Sequence, residues 1–336
     1  MTSRADPPRG RPAIRVPADD SERAGSPGAI LVLNTAEGLL QTVLGLPTGG
    51  KGWILAGFAE IEAQRQGAET LALLIRDTLA RAGLGPGELR RIAAVRGPGG
   101  FTGLRLGPVS AAGLARACGA LQAGMDYLPL LAQSAIQRLA PELRVPCGPG
   151  GIRLWAVVHA RRNLVYAQSF TFRASGKALE AGNSAPAGSS GSGDPPGPVG
   201  PGAIFSGQRT SVEGMLICPP AQLASLIRAD AASLAGSGQR HMVLGSGLEK
   251  NREEFSRLLD GGGENSALLP PEYAKPVPEA LLAVAASLEY GAADIEPFYA
   301  RPSDAEENLS TVAASLGIDP GAAKAKLADI ATLRRN

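Results

Sequence analysis

A chain of 336 residues with 44% hydrophobic and 19% charged side chains can bury two compact cores or one large one, which excludes a disordered protein. Thirty-three basic against 31 acidic residues leave a formal charge of +2, so no overall field drives the chain toward nucleic acid or anionic lipid. Three scattered cysteines and two distant histidines, His159 and His241, exclude a disulfide framework, a structural zinc site and an HExxH motif.

Residues 1–28 are rich in Arg, Pro, Asp and Ser without hydrophobic period. They are expected to form a disordered extension and lack the apolar stretch of a signal peptide. No apolar run reaches the roughly 18 residues of a membrane span, so the expected location is the cytoplasm. Folded sequence begins at the apolar run Ala29–Leu33, which suits a buried strand, with Leu39–Leu46 as its hairpin partner. A helical period follows from about Gln66 to Ala82, with Leu71, Leu74, Ile75 and Leu79 on one stripe, stopped by Gly83 and Gly85-Pro86-Gly87. The strand Ile92–Val95 runs into Arg96-Gly97-Pro98-Gly99-Gly100-Phe101-Thr102-Gly103, and a second helix continues to about Ala117. Pro108 inside that helix is expected to kink it. A strand, a glycine loop and a helix in succession belong to an α/β fold.

A short strand and helix are expected over 125–140, then a hairpin of Leu154–His159 and Leu164–Phe170. The Gly, Ser, Pro and Ala of 174–203 read as a flexible insertion. Regular structure resumes with a helix near 219–235, the strand His241–Leu244, a helix near 248–259 and an amphipathic helix over 277–290. Residues 303–336 form a polar, Ala-rich tail.

Two segments are candidates for a site. Closely spaced glycines before a helix expose backbone N–H groups to a phosphate or carboxylate, which nominates Gly97, Gly99, Gly100, Thr102 and Gly103 for cofactor binding. The run lacks the Lys-Ser/Thr ending of a P-loop and does not match GxGxxG. A tight turn with close backbone packing is the competing and physically stronger reading. In the following helix Gly103, Gly107 and Ala111 recur every four residues, with Ser110 nearby. That stripe has little bulk and admits close approach of another helix, either a partner's or this chain's own. Together with Leu71, Leu74, Ile75 and Leu114 it forms the expected partner surface. The turns Asn34-Thr35-Ala36-Glu37-Gly38 and Gly245-Ser246-Gly247 follow strands. His159, beside Arg161 and Arg162, has no acid or nucleophile paired with it in sequence. No catalytic or metal-ligating residue is expected.

Taken in order, these segments resemble the TsaB (also called YeaZ) family, the non-catalytic member of the bacterial machinery that makes threonylcarbamoyl-adenosine in tRNA. Arg96–Gly107, RGPGGFTGLRLG, is similar to the family's RGPGSFTGxRIG. Ile30–Thr35 stands at its first strand, Ala160–Tyr166 at its Asp-Ala-Arg-x-x-Glu-Val-Tyr hairpin, and Glu296–Arg301 at its Pro-x-Tyr-Leu-Arg. Asn34 replaces the usual Asp, which in actin-like ATPases helps hold a metal–nucleotide complex. His159 replaces the hairpin Asp, and Gly67 stands where many relatives have His.

The resemblance implies an α/β actin-like ATPase fold of two similar ribonuclease-H-like domains, about 29–130 and 131–302. It implies a TsaD-like catalytic subunit as partner, which carries the metal-binding histidine pair. A TsaE-like ATPase and tRNA are then reached through the complex, a homodimer is a further form of association, and no membrane is involved. ATP and a metal belong to the partner complex, with no cofactor held by this chain alone. The N-terminal domains of the two subunits are implied to meet through helices such as those at 66–82 and 102–118. The competing reading is an enzyme in its own right, a nucleotide hydrolase or the metallopeptidase of the older "glycoprotease" name.

Overall fold

The computed structural model describes residues 28–48, 52–62, 67–139, 151–172, 210–211, 214–234, 236–259, 266–301, 308–323 and 325–326. The expected extension (Gly28 apart), the insertion at 174–203 and parts of the polar tail lie outside the described residues.

The first sheet is built from β1 (Ala29–Asn34), β2 (Leu39–Pro47), β3 (Trp53–Glu62), β4 (Leu89–Gly97) and β5 (Leu121–Asp126), in the order β3-β2-β1-β4-β5. The second is built from β6 (Ile152–Arg161), β7 (Leu164–Phe172), β8 (Thr210–Ser211), β10 (Arg240–Leu244) and β11 (Ser266–Leu268), in the order β11-β10-β6-β7-β8, with β9 (Leu216–Cys218) also on β7. In both, the first strand pairs antiparallel with the second and parallel with a later one. One pattern is thus used twice. Strands fed by helical crossovers are buried on both faces, which is why β1 reads as an unbroken apolar run.

Alternation along β1 assigns its two faces. Leu31 and Leu33 pack with Leu71, Ile75 and Leu79 of α1 (Gly67–Arg81) and with Ala111 and Ala115 of α2 (Phe101–Cys118). Ile30 and Val32 point the other way, toward α3 (Tyr127–Leu139) and α7 (Pro278–Ala286). The second sheet offers Leu154, Ala156 and Val158 to that same layer. Its other face, with Trp155 and Val157, is covered by α4 (Pro220–Ser233), α5 (Ser246–Lys250) and α6 (Arg252–Leu259). A short α8 (Leu309–Ser315) follows.

Several elements differ from the sequence expectation. Strand β3 closes one edge of the first sheet, where its half-buried residues carry no clean alternation. The helix expected over 248–259 is two helices, broken at Asn251 (φ −130°, ψ 24°), whose side-chain amide donates to Gly247 O at 2.8 Å. Asparagine competes with a helix backbone in this way. The helix expected over 277–290 stops at Ala286. Residues 278–301 also return to the first sheet instead of staying with the second: Gly291 pairs with Gln122 of β5, and Phe298 N–H donates to Arg96 O at 2.7 Å. Helix α2 runs without interruption through Pro108.

The second sheet holds a partly buried polar cluster. Arg153 of β6 donates to both carboxylate oxygens of Asp230 on α4, at 2.5 and 2.6 Å. His241 of β10, 1% exposed, lies 3.6 Å from Asp230 Oδ2, and neither ring nitrogen has a hydrogen-bond partner among the described residues. Burial, assisted by the Arg153 charge and opposed by Asp230, holds its imidazole below the usual histidine range. The folded state therefore favours neutral His241, whose stability contribution is complete above the unfolded value near 6.5 and declines as pH falls below it. The denaturation midpoint of the wild type is expected to drop below about pH 6.5, and that of His241→Leu to drop less. Parallel pH profiles of the two would contradict this.

Candidate functional site

The glycine run packs against the turn after β1. Built at Gly103, a Cβ would lie 1.9 Å from Thr35 O, and at Gly99 one would lie 2.3 Å from Ala36 O. Gly97 adopts φ +136° and faces Phe298 O. Gly100 N–H donates to Ala36 O at 2.7 Å, and Thr35 Oγ1 donates to Gly103 O at 2.6 Å. Close approach of two backbones accounts for these glycines. The N–H of Gly100 is committed inside the chain, and Thr102 points outward at the start of α2.

The same geometry corrects the expected partner surface. A Cβ at Gly107 would meet Thr35 Oγ1 at 2.7 Å, and Ala111 is fully buried. The stripe Gly103–Gly107–Ala111 brings α2 onto its own sheet, together with buried Leu71 and Ile75 of α1. Leu74, Ser110 and Leu114 are half-buried at the margin. The outward side of α2 carries Phe101, Arg105 and Val109, with Val109 68% exposed. With Gly67 and Ala68 at the start of α1 and the turn at Thr35–Leu40, these residues line an open groove of about 700 Å³. The small-residue spacing was legible, but its assignment to the outer face was not. A helix lying on a sheet needs its slimmest side inward, and Phe101–Arg105–Val109, one turn apart on the opposite side, was the signal for the exposed one.

The two strand-end turns meet each other. Ser246 donates to the Glu37 carboxylate and itself accepts His159 N–H at 3.0 Å. Tyr127 and Lys250 stand beside this bridge. Glu37 Oε2 is enclosed although the residue keeps some exposed surface, and burial pushes the carboxyl up to about 7 against the favourable effects of Ser246, Tyr127 and Lys250. His159 is held below its usual range, by burial first and by Lys250 second. Asn34 is 1% exposed; its amide donates to Gln41 Oε1 at 2.7 Å and its carbonyl oxygen accepts Ala36 N–H at 3.2 Å. Both ends of that side chain are used, and the Glu37–Ser246 contact joins the turns directly. The residues present do not fit a metal–nucleotide complex between them.

Because the folded-state value of Glu37 is raised, its stability contribution is complete below about 4.5 and is lost as pH rises through about 7. Glu37→Gln, which mimics the protonated acid, is expected to raise stability at pH 8 by up to roughly 3 kcal/mol while leaving pH 4.5 nearly unchanged. Chemical denaturation at the two pH values checks this, and equal effects at both would contradict it.

His159 near the end of β6 and His241 on β10 are far apart, since His241 registers with Arg153, about 20 Å down the strand from His159. They cannot share a metal ion. Among the described residues no three His, Cys, Asp or Glu side chains are grouped to hold a metal, and no helix is long and apolar enough to cross a membrane.

Comparison with solved structures finds the same two-sheet α/β fold in YeaZ-like proteins. An uncharacterized protein with similarity to peptidase YEAZ from Pseudomonas aeruginosa aligns with 82% of this chain and 100% of its own, at 22% identity and a TM-score of 0.53. YeaZ from Pseudomonas aeruginosa aligns over 77% of this chain and 90% of its own, at 21% identity and a TM-score of 0.50. No curated protein matches the sequence. The family described as "TsaD: tRNA N6-adenosine threonylcarbamoyltransferase" matches residues 56–275, well over half of the chain. The chain belongs to that family.

Proposed function

We propose that this protein is a TsaB-type, non-catalytic subunit that binds a TsaD-like catalytic subunit and supports threonylcarbamoyl transfer to the adenosine beside the tRNA anticodon. The observation that carries the reading is the open groove on α2, which leaves Val109 two-thirds exposed above a fully packed helix–sheet interface. An exposed aliphatic side chain in a concave site of this size suits a partner helix. The committed Asn34 side chain and the joined turns support a scaffold over a nucleotide hydrolase. The separation of His159 from His241 supports it over a metallopeptidase. A TsaE-like ATPase, tRNA, ATP and a metal enter through the assembled complex, in the cytoplasm.

The test is co-expression with the TsaD-like subunit of the same genome, followed by light scattering on the eluted peak. A 1:1 complex or a multiple of it is expected. Separate elution of the two chains at micromolar concentration would contradict the proposal.

A further inference from the structure

We propose that Arg105 selects the partner, pairing its guanidinium with a carboxylate on the apolar helix that occupies the α2 groove. This inference rests on the reading of the groove as the partner site and adds the chemistry of what fills it.

Arg105 stands at the groove as its single charge: every other described residue lining it is uncharged. The side chain is held in place. Its Nε donates to Tyr299 Oη at 2.9 Å, its Cζ lies 4.1 Å from the Phe101 ring centroid and 5.7 Å from that of Tyr299, and the two rings are 5.1 Å apart. Tyr299 comes from the segment that returns across the Gly97 turn, where Phe298 N–H bonds Arg96 O. Two distant stretches of sequence thus converge on one guanidinium.

That arrangement commits Nε and the ring-facing plane, and among the described residues no hydrogen bond takes the terminal nitrogens, which are placed to meet an acceptor from outside. No acid among the described residues forms an ion pair with Arg105. A wholly apolar helix laid in the groove would bury this charge uncompensated, which opposes binding. A helix bearing Asp or Glu opposite Arg105 would receive a bidentate, charge-assisted pair from a donor already oriented. A second copy of this chain docking groove to groove brings another cation and no lining acid, so self-association does not meet the requirement. Tyr299 is a positioning residue, acting through Arg105.

Binding of the purified TsaD-like subunit, measured by calorimetry with full-length variants, tests this. Arg105→Glu is expected to weaken binding at least 100-fold, and Arg105→Lys about tenfold, because lysine keeps the charge but loses the fork. One Asp or Glu on the partner's surface helices, reversed to Arg, should restore most of the affinity of Arg105→Glu. Melting temperature should stay within a few degrees of wild type. Should Arg105→Glu fail to fold, Arg105→Met keeps an unbranched stem of similar reach without the charge and is expected to bind at least tenfold more weakly.

Wild-type affinity in Arg105→Glu or Arg105→Met, with Val109→Asp impaired, would overturn the role of Arg105 and leave the groove standing. Wild-type affinity in the Arg105 and Val109 variants alike would overturn both readings. Failure of every partner charge reversal to rescue Arg105→Glu would overturn the carboxylate pairing. A wild-type homodimer that Arg105→Glu dissociates would assign the groove to self-association and overturn the proposal.

Discussion

Gly103→Leu is expected to leave little soluble protein and no cooperative melting transition, whereas Gly113→Leu on the same helix should melt within a few degrees of wild type. The difference lies in what each new side chain meets. At Gly103 even the Cβ would stand 1.9 Å from a backbone oxygen, Thr35 O, which has no rotamer with which to yield. Thr35 is further pinned by the bond from its hydroxyl to Gly103 O, at the end of a fully buried strand. Relief requires moving α2 or the β1 turn, and either movement disturbs the packing of α2 on the first sheet. Overpacking a core commonly costs 1–3 kcal/mol, and a backbone clash exceeds the upper end of that range, against a total stability of about 5–15 kcal/mol. Around Gly113 a Cβ meets nothing within 4 Å, and removing a helix-interior glycine is favourable by about 0.5–1 kcal/mol. Gly107→Leu and Ala111→Leu follow Gly103 in sign, since both positions are packed within the chain. Circular dichroism melts check the series, and a Gly103→Leu protein that melts like wild type would contradict the packing described.

Val109→Asp is expected to have the opposite profile, with folding intact and partner binding lost. Its side chain is mostly in solvent, where substitutions usually change stability by less than about 0.5 kcal/mol. In the complex it would sit in the groove between α2 and the start of α1, against an apolar helix. A carboxylate there is buried without a cation unless Arg105 abandons its partner acid. A loss of at least 100-fold in affinity is expected, about 2.7 kcal/mol. Titration calorimetry beside a thermal melt separates the two effects. Unchanged affinity would move the interface elsewhere on the molecule.

Much of the architecture is legible in the sequence because each sheet layer imposes a period. The central strand reads as Ala29–Leu33, the helix Gly67–Arg81 by its leucine stripe, and the glycine run as a strand-to-helix turn. Strand β3 lacks that signal because an edge strand is held by one neighbour and need not alternate. The return of 278–301 to the first sheet is set by contacts such as Leu282 against Gly45, which no local pattern announces. The candidate site was legible as residues and misassigned as a surface. Gly103, Gly107 and Ala111 do admit a close neighbour, and that neighbour is the chain's own Thr35 turn and sheet. Glu37 carries no local signal in the sequence because the groups that act on its carboxyl, Ser246, Tyr127 and Lys250, are all remote in sequence.

The proposed role requires that this chain raise the yield of the modification reaction without catalysing it. The most direct measurement is the yield of threonylcarbamoyl-adenosine in tRNA, quantified by nucleoside mass spectrometry, in a mixture of the TsaD-like subunit, its activated substrate and tRNA. The account predicts little product without this chain, a large increase with wild type, and no increase with Val109→Asp or with this chain in the absence of the TsaD-like subunit. Product formed by this chain alone, or an equal yield with and without it, would contradict the claim that it is a non-catalytic subunit of that reaction.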